Sequence, residues 1–225
     1  MFGVELPSTI DADTIWTYEI GAKSILAEGK VLLEGAIFYS DWEGVAVRVP
    51  ITPQINGLVN SDGTKNQGVE FNIVYTPDSN LTLQAGGSYI DATYSADVPG
   101  TPLFKGTPVY NVPRTTFNAS ASYGWDVGQN LRAIALDLAQ YESACETALT
   151  AGTPGDALTR VGARIGLESP AGWAVYLYGE NLTNEDGAIN ARDASQFDAN
   201  GDLIRLGAAN RYQPRTYGVL FRYDY

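Results

Sequence analysis

Histidine, the commonest general base and transition-metal ligand, does not occur among the 225 residues of this chain. Ser-His-Asp and Cys-His catalysis and histidine-based zinc sites are therefore excluded within it. The single cysteine, Cys145 in ESACETALTAG, can close no internal disulfide and reads as a loop thiol, not a nucleophile. Four carboxylates, Asp186, Asp193, Asp198 and Asp202, share one polar stretch, and DANGD (198–202) opens like a calcium-binding loop. That loop needs glycine at its sixth position. This chain has Leu203 there, so DANGD reads as a hairpin tip turning on Asn-Gly. Paired carboxylates for acid–base work also need a cleft, and no spacing here fixes one. The sequence gives no ground for an enzyme and calls for no cofactor.

The remaining polar candidates share one property, which is that they alternate with apolar residues. Glu34, Glu70, Gln84, Arg160 and Arg164 each sit at every-second positions opposite a file of apolar or aromatic side chains. Period two is the period of a strand, whose successive side chains point to opposite faces. Composition agrees: 24 glycines and 14 tyrosines with a single methionine suit strands and turns better than helices. A formal charge of −12 disfavours binding to nucleic acid through its phosphates. No run of about 18 apolar residues is present to form a membrane helix. MFGVELPSTIDADT lacks the basic start and apolar centre of a signal peptide, so the expectation is that any export address lies outside this chain.

Reading for alternation between turn signals predicts nine strands: 14–26, a second from Val31 running on through Trp42 toward Val49, 67–76, 81–94, 113–125, 130–141, 158–168, 173–182 and 216–225. In the sixth the alternation is poorest, and its faces cannot be assigned. The connections alternate between short turns (AEGK, PDSN, DVGQ, SPAG) and much longer loops, which puts every short turn at one end of the sheet. That is the pattern of an outer-membrane barrel, with short periplasmic turns and long extracellular loops. Aromatic residues near the predicted strand ends (Trp16, Tyr18, Tyr39, Trp42, Tyr75, Tyr89, Tyr123, Trp125, Trp173, Tyr217 and Tyr225) suit the two interfacial girdles of such a barrel.

The expected fold class is thus all-β, an antiparallel transmembrane β-barrel facing outer-membrane lipid, with Glu34, Glu70, Gln84, Arg160 and Arg164 toward a wet lumen. Two alternatives stay open: a self-contained small barrel serving as a passive pore or structural protein, and a soluble β-sandwich binding module. Nine strands in one antiparallel meander leave the first and last strand running in the same direction, whereas a closed antiparallel barrel needs an even number, with rare exceptions. Either one strand is missed or invented, or the chain is part of a larger barrel, and the second is the expectation taken forward.

With the strands placed, the sequence resembles the C-terminal part of the barrel of TonB-dependent outer-membrane receptors. The resemblance rests on TYEIGAKS (17–24), GAIFYSDWEGV (35–45), NQGVEFNIVYTP (66–77), LTLQAGGSYIDATY, VPRTTFNASASY, YGENLTNED (178–186) and PRTYGVLFRYDY, in that order. It implies a 22-strand barrel, an N-terminal plug domain with the motif that engages the inner-membrane TonB complex, and energy-driven import of a large scarce ligand such as a siderophore, corrinoid or saccharide. The plug, its motif and the N-terminal half of the barrel are not in this sequence. The resemblance gives Tyr217, Val219, Phe221, Tyr223 and Tyr225 a second role, as the insertion signal read by the barrel-assembly machinery. Arg160 and Arg164 then face an anionic ligand or the plug, or pair structurally with Glu34 or Glu70. Tyr89, Tyr94, Phe104 and Tyr110 either contact ligand or belong to girdle and loop packing.

Overall fold

Nine strands form one continuous antiparallel sheet in a computed structural model that describes residues 8–50, 56–98, 101, 103–146, 154–193, 196–197, 203–205 and 208–224. They are β1 (Thr14–Leu26), β2 (Val31–Glu43), β3 (Thr64–Tyr75), β4 (Leu81–Tyr94), β5 (Thr115–Val127), β6 (Leu131–Glu142), β7 (Leu158–Ser169), β8 (Trp173–Glu180) and β9 (Thr216–Tyr223). Each pairs only with its sequence neighbours, so the order across the sheet is the order along the chain. Tyr225 lies outside the described residues.

Turn chemistry explains why the strands reverse where they do. Ala27, Glu28 and Gly29 all take positive φ between β1 and β2, and the amide of Lys30 closes the turn on the Ala27 carbonyl at 3.1 Å. In the next turn the Asp78 carboxylate accepts from the amides of Asn80 (2.8 Å) and Leu81 (3.1 Å), a side-chain mimic of a backbone turn. The predicted run of the second strand toward Val49 is wrong. Gly44, at φ +70°, breaks β2 after Glu43, and 46–50 pairs instead with 56–60 as a separate hairpin. β3 also begins earlier than expected, at Thr64, because Trp42 and Asp41 of β2 extend its ladder.

Register decides the faces. From β2 to β9 every odd-numbered residue falls on one face and every even-numbered residue on the other; in β1 the parity is reversed. The first face carries Trp16, Tyr18, Ile37, Val69, Phe71, Tyr89, Tyr123, Ile165, Leu177, Tyr217 and Phe221, all exposed. The second carries Lys23, Glu34, Glu70, Gln84, Arg160 and Arg164. Trp42, expected in a girdle, falls on this polar face, and its indole N–H donates to Asp13 at 2.7 Å. The sixth strand is also resolved by its neighbours: Ala133, Ala135, Asp137, Ala139 and Tyr141 join the aromatic face, while Ile134, Leu136 and Leu138 turn to the polar one. In the middle of that strand apolar bulk and the Asp137 carboxylate lie on the opposite sides from the rest of the sheet, while Arg132 and Glu142 near its ends keep to the polar face.

Among the described residues the buried apolar cluster lies at the long-loop end of the sheet, not on its faces. Val47, Val49 and Val59 of the 46–60 hairpin pack with Tyr94, Val98 and Leu103 at the long-loop end. Backbone bonds hold the cluster together: Ser61 N–H to Val45, Tyr94 N–H to Thr107, and Val98 N–H to Leu103, at 2.8 to 2.9 Å. Leu103 and Val49 are fully buried, so this loop is an ordered small core.

Candidate functional site

The polar face is the part of the molecule on which side chains with chemistry converge. A rung crosses four strands: Lys23 on β1 pairs with Glu34 on β2, Asn72 on β3 donates to Glu34 at 3.1 Å, and Gln84 on β4 donates to Asn72 at 3.1 Å. Ser88 and Thr116 share a hydroxyl hydrogen bond of 2.8 Å one step further on. Small residues at Gly21, Ala36 and Gly86 leave room above these groups, and a hollow of about 760 Å³ opens there, with Glu19 and Glu70 also on its wall. Glu70 forms no ion pair or side-chain hydrogen bond among the described residues.

A second group is built on β6 to β8. The Arg160 guanidinium pairs with the Glu142 carboxylate, donates to the Tyr212 hydroxyl at 3.1 Å and lies 5.1 Å from the centre of the Tyr212 ring. Arg164 lies 4.8 Å from the ring centre of Tyr176, whose hydroxyl donates to Glu168. Each arginine keeps a buried Nε without a partner among the described residues. Leu138, Gln140, Arg160, Gly162 and Tyr212 surround a smaller hollow of about 270 Å³. The expected pairing of these arginines with Glu34 or Glu70 does not occur. Glu34 is taken by Lys23, and three strands, β4, β5 and β6, lie between β7 and the strand that carries Glu70. The partners that do serve Arg160, Glu142 and Tyr212, were missed because one ends the strand of unreadable parity and the other lies in a long connection.

The four aromatic candidates around the second long loop divide. Tyr94 is buried in the loop core and packs at 6.5 Å against Tyr110. Burial, reinforced by the nearby Glu146 carboxylate, raises the pKa of Tyr110 above that of a free phenol. Tyr89 stands exposed on the aromatic face beside Val69 and Thr115, and Phe104 stands out from the loop, 58% exposed. Burial and the flanking Glu142 and Glu146 also push the Cys145 thiol up, which lowers its thiolate fraction and suits an inert side chain. Of the four aspartates, Asp186 faces Arg211 at 3.9 Å, while Asp198 and Asp202 lie outside the described residues. Among the described residues no three metal-ligating side chains come together.

A nine-strand meander with an exposed aromatic face and a hydrogen-bonded polar face is the architecture of an outer-membrane barrel wall. A family model described as TonB dependent receptor-like, beta-barrel, matches residues 4–182, most of the chain. The chain belongs to the TonB-dependent receptor β-barrel family. Solved structures of this family superpose on it: the ferric yersiniabactin uptake receptor from Yersinia pestis (TM-score 0.78, 17% identity, 95% of this chain and 30% of that one) and the ferric-catecholate import receptor from E. coli K12 in its closed form (0.63, 17%, 97% and 29%). The copper transporter OprC does so as well (0.70, 12%, 96% and 32%). At these identities the likeness is one of fold. The chain spans about a third or less of the length of these solved chains. Proteins of this family reside in the outer membrane, and the chain is placed in that membrane.

Proposed function

We propose that this chain is the C-terminal part of the barrel of a TonB-dependent receptor that imports a large, scarce ligand of the siderophore, corrinoid or saccharide kind and has no enzymatic activity. The observation that carries the reading is the parity of the register. One face is aromatic and apolar across the middle of the sheet, with Asp137 the one charged residue inside that band, and the other holds the rung from Lys23 to Gln84 and the arginine–tyrosine groups of β7 and β8. In this reading the first face meets lipid and the second lines the lumen, so Glu34, Glu70, Gln84, Arg160 and Arg164 are wall residues that meet a plug domain and passing ligand. The outer edges of β1 and β9 expose rows of backbone amides that cost several kcal/mol each if left unpaired in lipid. The N-terminal half of the barrel supplies their partners. Tyr217, Val219, Phe221, Tyr223 and Tyr225 act as the insertion signal for the barrel-assembly machinery, and removing Tyr225 lowers membrane assembly more than it lowers stability.

The test is uptake by cells carrying the full-length receptor, offered ferric siderophores, a corrinoid and oligosaccharides in turn, with and without a working inner-membrane TonB complex. The expected result is accumulation of one ligand class that stops when energy coupling is removed. Accumulation that persists without coupling and does not saturate identifies a passive pore and overturns the reading.

A further inference from the structure

One residue on the aromatic face is out of keeping with its surroundings. Asp137 lies at mid-length in β6, paired with Ala121 of β5 on one side and Ala163 of β7 on the other. Along its own strand the neighbours on that face are Ala135 and Ala139, so all four nearest positions are alanines, while the diagonal positions are Ala119 and Tyr123 on β5 and Val161 and Ile165 on β7. Larger side chains surround these alanines: Tyr123 and Trp125, stacked at 5.6 Å, below, Phe117 beside Tyr141 above, and Val161 and Ile165 on the β7 side. The carboxylate therefore stands at the floor of a shallow depression, between the two aromatic bands, in the stretch that hydrocarbon covers if the aromatic face meets lipid as proposed above.

Asp137 is exposed and makes no ion pair or hydrogen bond among the described residues. The other acidic side chains on this face, Asp41, Glu43 and Asp91, all lie outward of the aromatic band at Tyr18, Tyr39 and Tyr89, where headgroups and water solvate them. An ionisable group inside the apolar band is costly there and normally has a partner. Small residues are what allow two membrane-embedded segments to approach closely, since association in lipid depends on packing and on polar contacts between them. The depression thus offers close approach and an unmet demand for a donor at one place.

We propose that the alanine depression around Asp137 docks a membrane-embedded segment of another protein that presents a lysine or arginine at the depth of this carboxylate. Charge complementarity selects that partner over a second copy of this chain. The only cation on the aromatic face of the nine strands is Lys65, which sits at the outer end and already faces Asp41 at 3.7 Å. A two-fold contact through this patch would set Asp137 against its own copy.

The inference rests on the aromatic face being lipid-facing, and the experiment separates the two. The full-length receptor is reconstituted in phosphatidylcholine vesicles with a dye-labelled leucine–alanine helix of about 20 residues carrying one central lysine, or central leucine as control. A nitroxide at Ile165 first reports the face: contact with hydrocarbon upholds the reading, and contact with water alone overturns both it and this inference. With the face established, energy transfer should show the lysine helix binding about tenfold or more tighter than the leucine helix, a preference that falls to nothing in Asp137→Asn. Equal binding of the two helices, or a preference that survives Asp137→Asn, overturns the docking site and leaves the barrel reading standing. Receptor self-association that depends on Asp137, with no preference for the lysine helix, also overturns it, in favour of a second copy. Heat-modifiable migration of each variant confirms that the barrel is folded.

Discussion

Two adjacent residues of β9 offer the sharpest test of the face assignment. Val219 stands on the aromatic face opposite Leu177, and Leu220 on the polar face opposite Tyr176. Both belong to a strand at the edge of the sheet, 66% and 46% exposed, so an arginine at either position meets little steric obstruction. What differs is the medium. Val219 is one residue from the midpoint between Tyr217 and Tyr223, which mark the two aromatic bands on this strand, so Val219→Arg places a guanidinium near the bilayer midplane. Such a substitution costs about 2–4 kcal/mol, whereas one facing an aqueous lumen costs a fraction of that. A cost of about 2–4 kcal/mol corresponds to roughly 30- to 700-fold in the folding equilibrium. Urea titration of the full-length receptor in vesicles, read by heat-modifiable migration, should therefore show Val219→Arg unfolding at clearly lower urea than Leu220→Arg. Equal midpoints, or the reverse order, would refute the assignment of lipid and lumen.

Other consequences follow from the long-loop end. Leu103→Ala removes a fully buried side chain from the loop core, a loss of about 2–5 kcal/mol, yet hydrogen exchange should quicken at Val98 and Tyr94 and stay unchanged in β5 to β8. Arg160→Lys keeps the charge opposite Glu142 and loses the stacking on Tyr212, so protease should cut near Tyr212 faster while the sheet remains folded; a rate like that of the parent would show the stacking to be idle. Tyr110 holds its proton more tightly folded than unfolded, because burial disfavours the phenolate. The stability it lends the loop is complete below about pH 10, the unfolded value, and falls as pH rises from there through the raised folded value. Phenolate absorbance lagging behind that of the exposed tyrosines, with loop exchange accelerating only above pH 10, is the expected record.

Most of the sheet is legible in the sequence because alternation and turn residues agree with each other. β1 falls on the expected residues, and the other strands fall within a few, β2 and β3 apart. β2 stops early because a single glycine at positive φ outweighs an apolar run that continues through Val45, Val47 and Val49. The 46–60 hairpin escapes notice for the same reason, since its valines look like more of the strand before it. The polar rung is legible in part. Glu34 and Gln84 stand out by alternation, but that they meet through Asn72, and that Lys23 and not an arginine neutralises Glu34, depends on which strands are neighbours and in what register. Period alone carries no such information.

β6 shows how the information is distributed. Its own pattern names no face, yet its orientation is unambiguous, because two hydrogen-bonded ladders impose a parity that its neighbours have already settled. The inside–outside code of this wall is therefore redundant, written several times over and read collectively, like a message that survives one garbled word. A strand relieved of spelling out its own orientation is free to carry residues that amphipathic alternation forbids elsewhere. Ile134, Leu136 and Leu138 on one side and Asp137 on the other are such residues, and in a wall of this kind they mark where sequence is under demands other than folding.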